Sequence, residues 1–204
     1  MPPTLPDGDE TTDAAPTSDA LDEPGRDGEG APSRPVARRR LVWLLVAIAF
    51  GVLVADQVTK QWALSTLDGD RRALLGDLLG FQLVMNPGAA LSTATGMTWV
   101  LTVVAVVVVV VLVRIARRLG STTWTVALGL LLGGALGNLT DRLVREPGFA
   151  RGEVVDFIAY VDWFVGNVAD IAIVVAAVLV VLLVARGVQV DGTRAPAGEE
   201  PPRG

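Results

Sequence analysis

The chain has 204 residues, 51% of them hydrophobic, a mean hydropathy of +0.49 and a formal net charge of −5. It contains no Cys and no His, which excludes disulfides, thiol catalysis, iron–sulfur ligation, Ser-His-Asp triads and HExxH zinc sites. The charge is unevenly spread: residues 1–33 hold nine acids and one base, leaving 13 acids and 16 bases elsewhere. No basic stripe interleaved with aromatics occurs, so no nucleic-acid partner is expected.

Residues 1–37 are rich in Pro, Gly, Asp, Glu, Thr and Ala. They offer too little apolar surface to offset ordering entropy, and a disordered acidic tail is expected there. Arg38-Arg39-Arg40 then precede Leu41–Ala55, a stretch without a charge. A cleavable signal peptide is the bland alternative. Leu53 fits poorly at the −3 position of a cut after Ala55, and three more apolar runs follow. Leu41–Leu64 is therefore read as the first membrane span, carrying Asp56 and Lys60 toward its far end.

Met97–Val113 is the second span, ended by Arg114, Arg117 and Arg118. Its valine run favours strands in water. In lipid an isolated strand leaves its backbone unpaired, so a helix is expected. The third span, Thr122–Leu139, has Gly129, Gly133 and Gly137 at intervals of four, a repeat that lets another helix approach and needs no chemistry to explain it. The fourth runs from about Asn167 to Ala185, before Arg186 and a polar tail over residues 188–204 that is expected to be disordered. The prediction is an all-α membrane protein with a four-helix core over residues 38–187.

Four spans put both termini on one side. Nine arginines (Arg34, Arg38–Arg40, Arg114, Arg117, Arg118, Arg186 and Arg194) fall there, against six cations on the other side. That bias favours cytoplasmic termini. The uncharged stretches Leu41–Ala55 and Ile171–Ala185 give about 22 Å of helix each, against a hydrocarbon core of about 30 Å. Asp56 and Asp170 are thus expected at or just below the outer interface. Asn138, Asp141 and Arg142 reach the same level, and the loop residues Asn86 and Asp156 lie on the same side. These polar residues, far apart in sequence, are expected to meet at one depth.

Asp56 and Lys60 are four apart and share a helix face, which suits a mutual ion pair as well as it suits catalysis. Asp141 and Arg142, beside Asn138, read equally well as a structural polar cluster. Asp156 and Asp170 differ, because each follows apolar or small residues with no adjacent cation. Two facing carboxylates do not both ionise readily, so one keeps a proton near neutral pH. Such a pair supplies a general base for water and a general acid for the scissile amide.

Five short motifs now stand in order: Asp56-Gln57-Val58-Thr59-Lys60, Asn86-Pro87-Gly88-Ala89-Ala90, Gly137-Asn138-Leu139-Thr140-Asp141-Arg142, Val155-Asp156-Phe157 and Asn167-Val168-Ala169-Asp170. Together they resemble the lipoprotein signal peptidases, the bacterial signal peptidase II family of aspartic intramembrane peptidases. The resemblance implies Asp156 and Asp170 as the catalytic dyad. Asn86, Gly88, Asn138, Asp141, Arg142 and Asn167 would line or hold the site, with Asp56 and Lys60 in support. It also implies a small β-rich extracytoplasmic cradle between the first two spans and a short helix over the site before the fourth. The implied substrates are diacylated prolipoprotein signal peptides arriving through membrane lipid, cut before the lipidated cysteine in a bacterial plasma membrane. No cofactor and no metal are implied.

Two other readings stay open on residues alone. Asp156, Asp170, Asn138 and Asn167 offer hard oxygen ligands of the kind that bind cations, although a transport site belongs near the bilayer midplane. Lys60 with Ser65 or Ser92 would make a Ser–Lys peptidase, but Ser65 is five residues from Lys60 and points elsewhere on a helix.

Overall fold

The computed structural model describes residues 34–88, 98–161 and 163–194, with side chains from Arg38 onward. The acidic segment 1–33, Ser92 and residues 195–204 lie outside the described residues.

Four helices carry the chain: α1 (Arg34–Thr66), α2 (Thr98–Ala116), α3 (Thr122–Val144) and α4 (Val168–Ala185). Each is long and apolar enough to cross a membrane. The valine run of α2 is helical as expected, because only a helix satisfies a lone segment's backbone in lipid. Gly and Ala make α3 thin enough to sit at the centre. Of its most apolar window 56% is buried inside the protein, against 11 to 22% for the other three. The glycines act by absence. A Cβ on Gly133 would meet Ala49 O at 2.7 Å, and one on Gly134 would meet Ala169 O at 2.6 Å. The α1–α3 and α3–α4 contacts therefore run backbone to backbone.

The cradle is present and larger than expected. Strands β1 (Arg72–Leu75) and β2 (Leu79–Asn86) come from the first connection, β3 (Val154–Tyr160) and β4 (Phe164–Gly166) from the last. They form one antiparallel sheet in the order β1-β2-β3-β4. β3 pairs with β2 in the register Val84↔Asp156 and Asn86↔Val154. Trp62 from α1 meets Phe81 and Phe157 beneath the sheet at 5.2 and 6.1 Å between ring centroids.

The expected short helix before the fourth span does not occur among the described residues; a β3–β4 hairpin stands in its place. The reason lies in Val154–Tyr160. Its backbone groups are claimed by β2 on one side and β4 on the other, and β4 runs directly into Asn167, the N-cap of α4. After α4, residues 188–194 close a small hairpin through a Val188↔Arg194 bridge. It is held by Gly120 N–H to Val190 O and Trp124 Nε1–H to Val188 O.

Candidate active site

The C-terminal ends of α1 and α3, the N-terminus of α4 and the β2–β3 ribbon meet at one end of the bundle. All ten residues singled out in the sequence arrive there. Their contacts divide the four aspartates into two kinds.

Asp56 and Asp141 are fully buried and ion-paired. Lys60 Nζ lies 2.8 Å from Asp56 Oδ2 and 2.7 Å from Asp141 Oδ2, and donates to Asn138 Oδ1 at 2.9 Å. Three acceptors match the three N–H bonds of an ammonium. Each of these carboxylates also holds backbone. Asp56 Oδ1 accepts Ala169 N–H (3.0 Å), and Asp141 Oδ2 accepts Val155 N–H (3.3 Å). The partners are the residues immediately before Asp170 and Asp156. Gly137 makes room for this, since a Cβ there would stand 2.5 Å from Asp56 Oδ2.

Asp156 and Asp170 form no ion pair among the described residues; their oxygens are met by amides. Asn86 Nδ2 donates to Asp156 Oδ2 (2.7 Å) and Asn167 Nδ2 to Asp156 Oδ1 (2.6 Å). Asn138 Nδ2 donates to Asp170 Oδ1 (3.0 Å), and the backbone N–H of Asn167 to Asp170 Oδ2 (3.1 Å). Each of these four oxygens takes one donor. The amides cannot turn round. Gly88 N–H fixes Asn86 Oδ1 at 2.8 Å, Lys60 fixes Asn138 Oδ1, and Asp170 N–H fixes Asn167 Oδ1 at 3.0 Å. Gly88 has φ +115°, a conformation that favours glycine. Asn167 and Asp170 together form a capping box on α4, which places Asp170 at the positive end of that helix.

Asp156 lies 2% exposed. Burial foremost, then the charge of Asp170, pushes its carboxyl up to about 6, against the opposing hydrogen bonds from Asn86 and Asn167. Burial, and after it the Asp170 charge, also raises the Tyr160 phenol. Asp156 opens on a cleft of about 480 Å³ lined by Asn86, Gly88, Leu101, Trp163 and Phe164 among others. Arg142 is half-buried at this end, and its Nη1 is the one buried side-chain nitrogen or oxygen without a hydrogen-bond partner among the described residues.

The site also uses residues that the sequence reading passed over. Arg145 Nε lies 2.6 Å from Asp141 Oδ1, and Gln57 Nε2 reaches Asp56, Asp141 and Gly137 O at 3.2 Å each. Arg145 stands at the same four-residue spacing from Asp141 as Lys60 from Asp56; Gln57 lies inside the Asp56–Lys60 motif, with no role assigned to it from the sequence.

Compared with known proteins, residues 48–186 match the family model for signal peptidase (SPase) II. The chain belongs to the signal peptidase II family. It is 48% identical over 179 residues to the lipoprotein signal peptidase of Rhodococcus jostii (strain RHA1), covering 87% of this chain and 90% of that protein. It is 46% identical over 184 residues to the lipoprotein signal peptidase of Mycobacterium tuberculosis (strain ATCC 25618 / H37Rv), covering 90% of each. Two solved structures titled as bacterial membrane enzymes share the fold. One has TM-score 0.61 and 28% identity, covering 69% of this chain and 91% of its own. The other has TM-score 0.62 and 27% identity, covering 77% and 94%. Membership in this signal peptidase family makes the chain a protease and a multi-pass membrane protein.

The Ser–Lys reading loses its base. Lys60 is buried with all three donors engaged, and Ser65 Oγ donates to Trp62 O instead.

Proposed function

We propose that this peptidase removes the signal peptide from diacylglyceryl-modified prolipoproteins, cutting before the lipidated cysteine, with Asp156 and Asp170 as its acid–base pair. The observation that carries this reading is the division among the aspartates. Asp56 and Asp141 share Lys60, with Arg145 also on Asp141, whereas Asp156 and Asp170 meet amide donors only and Asp156 lines an open cleft. The charges favour one shared proton. Lys60, Arg142 and Arg145 supply three positive charges, Asp56 and Asp141 two negative ones, and a singly protonated dyad the third.

In the proposed mechanism the substrate's signal helix stays in the bilayer and lays the scissile bond across the cleft. Asp156, with its raised affinity for the proton, is the acid. Asp170, at the N-terminus of α4, is the base. Asp170 removes a proton from water, the hydroxyl oxygen attacks the carbonyl carbon, and Asp156 protonates the carbonyl oxygen. The proton on Asp170 then passes to the amide nitrogen as the C–N bond breaks, and a hydroxyl proton returns to Asp156 as the carboxylic acid forms. Arg142 adds a positive charge near Asp156.

A cation at the dyad fits poorly. The amide N–H groups of Asn86, Asn138 and Asn167 point at the carboxylate oxygens, and the oxygens of those amides are engaged elsewhere.

The test is turnover of a diacylated prolipoprotein and of its unlipidated counterpart by purified Asp156→Asn and Asp170→Asn variants. Each variant should lose cleavage while remaining folded, and the parent should prefer the lipidated substrate. Near-normal turnover by either variant would defeat the aspartic mechanism; equal cleavage of both substrates would defeat the substrate assignment. Activity lost to a chelator would revive the cation reading.

A further inference from the structure

The opposite end of the bundle holds a crevice the peptidase chemistry does not use. It encloses about 910 Å³ between the ends of α2 and α4 and the 188–194 hairpin. One wall is apolar, made by Ile115, Val184, Val188 and Val190; the other carries Arg114 and Arg118. The two arginines are four residues apart and exposed, and neither has an ion-pair partner among the described residues.

Two features prepare this crevice for an anion. Helix C-termini normally repel negative charge, but here the terminal carbonyls are occupied. Arg117, Arg118 and Leu119 N–H close on Arg114, Ile115 and Ala116 O, while Arg186, Gly187 and Val188 N–H close on Leu182, Val184 and Leu183 O. The one acid in the lining, Asp191, is tied down within the hairpin by the Thr193 N–H and hydroxyl. Asp191 is also the one acid among the described residues at this end, against eight arginines (Arg38–Arg40, Arg114, Arg117, Arg118, Arg186 and Arg194).

We infer that this crevice binds an anionic phospholipid, its phosphate between Arg114 and Arg118 and an acyl chain along Ile115, Val184 and Val188. The depth suits a headgroup, because α2 and α4 leave their apolar stretches here. Guanidinium groups recognise phosphate by paired N–H bonds. The apolar wall selects a lipid over free phosphate, and Trp124, whose indole N–H is committed to Val188 O, packs the hairpin that completes it. The site is independent of which leaflet this end meets.

The test is native mass spectrometry of the full chain in neutral detergent, titrated with phosphatidylglycerol, phosphatidylcholine or inorganic phosphate. Phosphatidylglycerol should be retained in preference to phosphatidylcholine, and millimolar inorganic phosphate should not displace it. Arg114→Gln/Arg118→Gln should weaken retention at least about tenfold, whereas Arg39→Gln/Arg40→Gln, with the same charge removed nearby, should not. Val184→Trp, which fills the apolar wall without altering charge, should also weaken it. Prolipoprotein turnover should persist in all three variants, reporting intact folding. Equal loss in the Arg39/Arg40 variant, or no loss with Val184→Trp, overturns the site in favour of a diffuse field. Displacement by inorganic phosphate overturns the lipid, and absence of preference over phosphatidylcholine overturns the anion.

Discussion

Asp56 and Asp141 grip one ammonium, that of Lys60, and each uses an oxygen to hold the backbone N–H of the residue just before Asp170 or Asp156. The ion-paired aspartates thereby set the spacing of the two unpaired ones. Asp56→Ala strands Lys60 with one acceptor fewer and leaves Ala169 N–H without its partner. Breaking a buried pair by removing one member costs about 3 kcal/mol or more. We expect a clear fall in the melting temperature of the purified protein together with reduced turnover. A variant that melts with the parent would show that the Lys60 cluster is not what braces the site.

Much of this arrangement was legible because membrane burial makes polar residues conspicuous. Asp56, Asn138, Asp170 and Lys60 stand out against apolar sequence, and span counting brings them to one depth. Pairing was harder to see. Spacing linked Lys60 to Asp56 but could not show that Asp141, 81 residues further on, is an equal partner. Gly137 was read as packing alone, yet its missing Cβ is what admits the Asp56 carboxylate. Asp156, expected in a loop, lies on the strand Val154–Tyr160. Its strand character depends on β2, whose pairing register no local pattern reveals.

The pH dependence of cleavage should carry the mark of Asp156. In the proposed role of acid it must be protonated, so kcat/KM should fall as pH rises through about 6, a midpoint that belongs to the coupled pair. The Asn86 amide favours the ionised form of Asp156 by donating to it. Asn86→Ala removes that donor, so the alkaline limb should move to higher pH while the maximal rate drops. A limb that stays put or moves down would assign the titration to another group.

On the arginine bias we propose that the site end faces away from the cytoplasm. Gly69 and Phe149 are exposed at the site end and Arg117 at the other. Since the protein has no cysteine of its own, Gly69→Cys and Phe149→Cys should react with a membrane-impermeant maleimide in intact cells, and Arg117→Cys only after lysis. Reaction of Arg117→Cys alone in intact cells inverts the orientation.

Asp156 gives the sharpest separation of activity from stability. Its carboxyl is raised from the ordinary 3.8 to about 6 in the fold, so the native state holds a proton that the unfolded chain releases earlier. The contribution of this group is fully present below about pH 4 and is lost as pH rises through about 6. By neutral pH the ionised, buried carboxylate costs on the order of 3 kcal/mol relative to an unperturbed one. Asp156→Asn removes that charge. One amide N–H from Asn86 or Asn167 then faces the new NH2 group, which offsets part of the gain. The variant, inactive toward prolipoprotein, should therefore melt no lower than the parent at pH 7. Its melting temperature should also vary less between pH 4 and pH 7, because the group that titrates there is gone. The measurement is a series of melting curves for both proteins in one detergent across that range. A variant whose melting temperature tracks the parent's through the whole series would mean that Asp156 is ionised throughout, and the acid in the mechanism would have to be sought in Asp170.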